Sequence, residues 1–207
     1  AISPAATKAL EAKYGLDKPM AERYFTYISD AAHGDFGDSL KQRGRTVMDI
    51  IATKFPVSAR LGGMAVVLAL CVGVPLGVLA AYKRGTFIDS LFSVIATCGI
   101  AVPGFVICTL LLYVFGVKLQ WLPTLGLKSA QSYIMPVVAL AAYPTSYIMR
   151  LMRSSMLDVL GQDYMRTAKA KGLSQKVSLF KHALRNAILP VITYVGPMLA
   201  YTLTGSF

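Results

Sequence analysis

Four stretches of this 207-residue chain contain no Asp, Glu, Lys or Arg: Leu61–Tyr82, Leu91–Val117, Tyr133–Met149 and Ile188–Phe207. An α-helix rises about 1.5 Å per residue, so roughly 20 residues are needed to cross ~30 Å of hydrocarbon. Four uncharged runs of that order predict four membrane spans. The third, at 17 residues, is short, and its helix is expected to extend into Arg150. Composition agrees, since 55% of residues are hydrophobic and 15% charged, against roughly a quarter charged in soluble domains. The fold class predicted is all-α, a polytopic membrane helix bundle. Buried helices of a soluble protein are the alternative, and four such runs in so short a chain argue against it.

The formal net charge of +11 could suggest nucleic acid, but the positions of the basic residues point to a membrane. Lys83-Arg84-Gly85 separates the first two runs, and Arg150–Ala187, between the third and fourth, holds eight basic residues against Asp158 and Asp163. The connection between the second and third has only Lys118 and Lys128. By the positive-inside rule both basic loops are cytoplasmic. Residues 1–56, where acidic and basic side chains nearly balance, then lie outside. They read as an extracytoplasmic helical segment, with helices over Ala5–Tyr14 and Met20–Ala32 broken at Gly15, Pro19 and Gly34. Apolar residues from Thr46 to Lys54 recur at helical spacing, which predicts an interfacial helix, with Pro56 opening the first span of a membrane core over 57–207. The chain starts Ala1-Ile2-Ser3-Pro4 and stops at Gly205-Ser206-Phe207 directly after an apolar run. The expectation is a piece of a longer chain with a span upstream.

Within the runs, small residues are placed for close helix contact, and Gly73 to Gly77 has the G-x-x-x-G spacing. Prolines 75, 103, 136, 144, 190 and 197 fit either mechanical kinks or plain packing. Intramembrane ionisable groups, which a proton relay requires, are missing from all four runs. Neither histidine lies in a span, no Ser or Cys has a plausible base, and no G-x-x-x-x-G-K-[ST] loop is present, so neither hydrolase chemistry nor ATP binding is expected of this chain. No cofactor or metal is expected. Cys71, Cys98 and Cys108 have no metal-knuckle or disulfide spacing and read as small hydrophobes. His33, alone beside Gly34, reads as a surface polar residue.

The loop 150–187 reads as three helices. The first continues the third span to Gly161. A short one over Tyr164–Lys171 starts from Asp163 as N-cap and stops at Gly172, and a third is capped by Ser174 and runs toward Asn186. A short crosswise helix at a bundle's edge suits docking into another protein's groove. On spacing alone its Arg166, Lys169 and Lys171 favour anionic headgroups or simple solvation over docking.

Tyr164-Met165-Arg166-Thr167-Ala168-Lys169-Ala170-Lys171-Gly172-Leu173-Ser174, followed by His182-Ala183-Leu184-Arg185-Asn186-Ala187-Ile188-Leu189-Pro190, resembles the cytoplasmic loop of bacterial peptide-type ABC importer permeases. Gly34-Asp35-Phe36-Gly37-Asp38-Ser39-Leu40, Gly77-Val78-Leu79-Ala80-Ala81 and Val102-Pro103-Gly104-Phe105 extend the resemblance over nearly the whole chain. The family's signature has Glu-Ala-Ala, three residues and Gly. This chain has Arg166-Thr167-Ala168 there, matching at Ala168 and Gly172 and reversing the charge at Arg166. The resemblance implies the binding-protein-dependent ABC importer permease fold in a bacterial cytoplasmic (inner) membrane. It implies ATP-binding cassette subunits, a second and non-identical permease subunit and an extracytoplasmic solute-binding protein as partners. It also implies an ATPase-coupling segment including Tyr164, Arg166, Thr167, Ala168, Gly172 and Leu173, and a cargo of peptides or a related small solute. A secondary transporter or channel, and a scaffold whose loop merely docks a partner, are the alternative readings.

Overall fold

The computed structural model describes residues 15, 18–39, 41–42, 44–174 and 177–204, the Lys169 side chain excepted. It divides into two compact units, residues 1–56 and 57–207. The helix expected over Ala5–Tyr14 lies outside the described residues. Helices dominate, and the sole β-type pairing among the described residues is an isolated antiparallel bridge between Asp38 and Thr46.

In the first unit, α1 (Met20–Ala32) follows Pro19 and carries an exposed Lys18–Glu22 ion pair of 3.0 Å. Gly34, at φ +87°, ends it, and the Asp35 N–H donates back to the Asp30 carbonyl at 2.9 Å. Only a residue free of Cβ strain reverses the chain cheaply in that conformation. His33 is exposed, with Nδ1 2.7 Å from the Ser29 carbonyl oxygen. The Asp35 side chain then accepts from the Gly37 N–H at 2.9 Å, and the Gly37 carbonyl accepts from Val47 N–H at 2.9 Å, which holds Gly37 against the start of the next helix.

Thr46 starts the next helix through a reciprocal cap: Asp49 N–H donates to Thr46 Oγ1 at 3.1 Å, and Thr46 N–H donates to Asp49 Oδ2 at 3.3 Å. Both orphan donors are thereby satisfied. The helix, α2, runs uninterrupted from Val47 to Tyr82. Two expectations are corrected here. No break separates an interfacial helix from the first span, and Pro56 lies inside a helix rather than at its first position. The cap at Thr46 has already fixed the helix start, and proline's φ is itself helical, so the chain continues through it.

The remaining elements belong to the second unit. A turn holding Gly85 at φ +77° leads to α3 (Phe87–Ala101). α4 (Gly104–Leu111) passes into a π-helical stretch, Leu112–Lys118. α5 (Ile134–Leu160) follows a short 3₁₀ turn, and α6 is Asp163–Ala170. A π-helical stretch, Ser178–Ala183, precedes α7 (Leu184–Ala187) and α8 (Leu189–Thr204). By length and apolar content α2 and the 3₁₀–α5 helix can each cross a bilayer, and α3 with α4, and Ser178–Ala187 with α8, form two bent pairs. The fourth run thus carries a 44° bend just before it.

The second run departs further from the single span expected over Leu91–Val117: its halves meet at 101°. Val102 preceding Pro103 is extended, at φ −82° and ψ 122°, because a proline ring disfavours the helical region for the residue before it. Pro103 also brings no N–H to the α3 ladder, so α3 ends at Ala101 and α4 starts afresh. Pro144, by contrast, sits buried within α5.

Gly73 and Gly77 explain how α2 reaches α5. A Cβ on Gly73 would lie 2.8 Å from the Thr145 carbonyl oxygen, and one on Gly77 would lie 2.6 Å from that of Met149. The G-x-x-x-G face is therefore a backbone-to-backbone seat. Around it, Val66, Ala69 and Ala81 of α2 join Ile148, Met152 and Met156 of α5 in one core with Leu179, Ala183, Ala187, Val191 and Met198. That core also takes in Met165 of α6.

Candidate functional site

The sequence directs attention to residues 163–173, which the fold places between α5 and the π-helical stretch. α5 stops with Gly161 as its C-cap, as expected. α6 then spans Asp163–Ala170. Asp163 is the first helical residue rather than the cap, because the hydrogen bonds of Met165 and Arg166 N–H already begin at the Gln162 carbonyl. At the other end Gly172 has φ +74°, and Leu173 N–H reaches back to the Ala168 carbonyl at 3.3 Å. This six-to-one bond across a left-handed glycine is a Schellman closure. Ser174 acts as a cap in its turn, its hydroxyl oxygen accepting from Val177 N–H at 3.4 Å.

One face of α6 is fixed to the bundle. Met165 is 1% exposed and Ala168 is buried. Met165 joins Met152 and Met156 in the core, a cluster of flexible thioethers that tolerates repacking. Tyr164 anchors the flank: its hydroxyl accepts from Asn186 Nδ2 at 2.8 Å, tying α6 to α7. The opposite face is free. The Arg166 side chain is 79% exposed, paired at 3.5 Å with an even more exposed Asp163, a geometry of small energetic weight in water. Thr167 is exposed and its hydroxyl donates to the Asp163 carbonyl at 3.1 Å. Leu173 is partly open.

Of the six residues singled out, Tyr164, Arg166, Thr167, Gly172 and Leu173 thus share an accessible surface, while Ala168 faces inward. Its methyl is small enough to let the helix lie close to the bundle. Met165 and Asn186 complete the seat. Met165 is an unremarkable apolar residue in sequence, and Asn186 pairs with Tyr164 over 22 positions.

A second polar feature was not expected. Asp89, in the first turn of α3, accepts two bonds from Arg153 of α5: Nε at 2.6 Å and Nη2 at 2.8 Å. It also accepts from Gly85 N–H at 3.0 Å. A buried carboxylate is tolerable where a bidentate guanidinium and a backbone donor satisfy it. This clamp fixes the Lys83–Gly85 turn to α5 at the end of the bundle that bears the basic loops.

Known proteins decide what this arrangement belongs to. Residues 73–207 match the family described as the binding-protein-dependent transport system inner membrane component. The chain belongs to that family. It is 43% identical over 208 residues to an oligopeptide transport system permease protein, OppB, of Salmonella typhimurium, covering 100% of this chain and 68% of the relative. It is 46% identical over 203 residues to a dipeptide transport system permease protein, DppB, of Bacillus subtilis, covering 98% of this chain and 66% of that one. DppB of Lactococcus lactis subsp. cremoris is 39% identical over 205 residues, covering 99% of this chain and 68% of the relative. The chain therefore spans about two thirds of the length of these relatives. It is a transmembrane component of a binding-protein-dependent importer of the inner membrane, not an enzyme. Membership implies an ATPase, a second permease subunit and a solute-binding protein as partners in general.

Proposed function

We propose that the chain forms half of the translocation path for short peptides and that α6 is the part through which a cytoplasmic ATP-binding cassette subunit moves it. The observation that carries this reading is the two-sided character of α6. One face is seated in the core through Met165, with Ala168 buried on the same side, and Tyr164, Arg166, Thr167 and Leu173 are exposed. A rigid helix held that way transmits a push to α5 instead of absorbing it.

In this reading both basic loops face the cytoplasm and residues 1–56 form the extracytoplasmic unit, where a solute-binding protein delivers cargo. The second permease subunit is a different chain that supplies the other half of the path. The peptide cargo is supported by the names of the relatives, which are oligopeptide and dipeptide permeases.

The test is co-purification of the ATPase subunits with wild type, Arg166→Glu and Gly172→Val in the assembled importer, together with uptake. Reversing the charge of an exposed docking residue is expected to weaken ATPase retention several-fold. A β-branched residue at φ +74° costs at least ~1–2 kcal/mol of backbone strain and removes the Schellman stop. Gly172→Val is accordingly expected to insert normally, yet hydrolyse ATP with little uptake. Full retention and uptake by both variants would refute the docking role of α6.

A further inference from the structure

Two clefts adjoin along α5, one bordered also by α3 and the other by α2, α3, α4 and α8. The outer, of about 900 Å³, opens at the break between α3 and α4 and reaches Tyr143 and Tyr201. The inner, of about 610 Å³, is lined among others by Ser93, Thr97, Tyr143, Tyr147, Arg150 and Arg153. They share Ile100 and Tyr143, so the two volumes meet at that pair of side chains.

The chemistry of the inner cleft is unlike a lipid-facing surface. Tyr143 and Tyr147, one turn apart, are both substantially exposed and stack at 6.3 Å, and Tyr194 of α8 backs Tyr147 at 4.4 Å. Tyrosines facing lipid gather at the headgroup level. Tyr143 lies seven residues, or ~10 Å, up the helix from Arg150, the first charge after the run. Its hydroxyl is therefore well inside the apolar zone, where it needs a polar neighbour.

The two arginines of the cleft are not equivalent. Arg153 is occupied by Asp89 through both of its bonds. Arg150 is exposed, makes no ion pair among the described residues, and no carboxylate lines the cleft. One guanidinium charge at the mouth of an aromatic, hydroxyl-lined cleft is thus uncompensated. A planar five-donor cation pairs best with a carboxylate, and ring faces and hydroxyls beside it suit a peptide main chain.

We propose that the inner cleft is a transit site for peptides, in which Arg150 receives the C-terminal carboxylate while Tyr143 and Tyr147 flank the last residues. The assignment rests on the peptide-importer reading above and adds the side chains that meet the cargo. Pairing with the carboxylate leads the peptide through with its C-terminus toward the basic-loop end, past Ile100 and Tyr143, which border both clefts.

The test uses the assembled importer in proteoliposomes with its binding protein and compares ATP-driven uptake of a tripeptide and its C-terminal amide. Wild type, Arg150→Gln and Arg150→Lys are measured in parallel. Comparing the acid-to-amide ratio between variants cancels any preference of the binding protein. Arg150→Gln is expected to lower that ratio about tenfold, equivalent to about 1.4 kcal/mol, with Arg150→Lys recovering part of it. An unaltered ratio overturns the proposal. So does an equal fall for both peptides that tracks the anionic lipid content of the vesicles, which would assign Arg150 to headgroups. Failure of wild type to move either peptide while another solute is taken up would overturn the peptide reading itself, and the site with it.

Discussion

Replacing Gly77 with valine is expected to cost the bundle about 3 kcal/mol, the upper end of overpacking effects, and to lower the yield of folded, detergent-solubilised protein sharply. The reason is what the new side chain would strike. Its Cβ would stand 2.6 Å from the Met149 carbonyl oxygen and 2.7 Å from the Met152 Cβ. A backbone carbonyl within α5 cannot rotate aside without giving up its own hydrogen bond, so α2 and α5 must separate, and with them the core around Met152 and Met156 loosens. Gly63 on the same helix is the control, since a Cβ there meets nothing within 4 Å. Gly63→Ala is expected to leave stability unchanged or raise it by up to about 1 kcal/mol through helix propensity. Thermal unfolding midpoints that move equally for both variants would show that the α2–α5 seat is not where the bundle is held.

That seat shows what a sequence can and cannot convey about such a chain. The G-x-x-x-G spacing announces a close approach but not its partner, because Thr145 and Met149, each 72 positions beyond its glycine, are identified only once the two helices are laid together. The ends of α5 and α6 were legible, since Gly161 and Gly172 are glycines where a helix must stop. That a short helix stands at α6 was readable from its motif, but the inward placement of Ala168 depends on which way the helix is seated. The break between α3 and α4 was hidden by composition. Hydropathy over Leu91–Val117 is unbroken, and a proline in such a run can sit within a helix, as Pro144 does, or end one, as Pro103 does. The clue lay in Val102, whose extended conformation the following proline favours. The tyrosine face escaped notice because its members lie on two helices, and aromatic residues in a membrane run ordinarily read as apolar bulk.

Arg153→Ala is expected to destabilise the bundle by about 3 kcal/mol, and Asp89→Ala by only about 1 kcal/mol, although the two side chains belong to one ion pair. The asymmetry follows from exposure: the Asp89 side chain is 7% exposed and that of Arg153 is 31% exposed. Without Asp89, the arginine can swing its long side chain toward water or headgroups and recover its solvation. Without Arg153, a nearly buried carboxylate keeps just the Gly85 N–H and has no route outward. Removing both partners removes that penalty as well, so Asp89→Ala/Arg153→Ala is expected to be more stable than Arg153→Ala alone. A double-mutant cycle on thermal or denaturant unfolding of the solubilised importer should return a coupling energy of about 2 kcal/mol. Arg153→Lys, retaining charge but not the two-pronged geometry, should fall between wild type and Arg153→Ala. Equal losses for the two single variants, or a cycle that closes to zero, would mean that the clamp adds nothing beyond the packing of its stems and that the Lys83–Gly85 turn is fixed to α5 by other contacts.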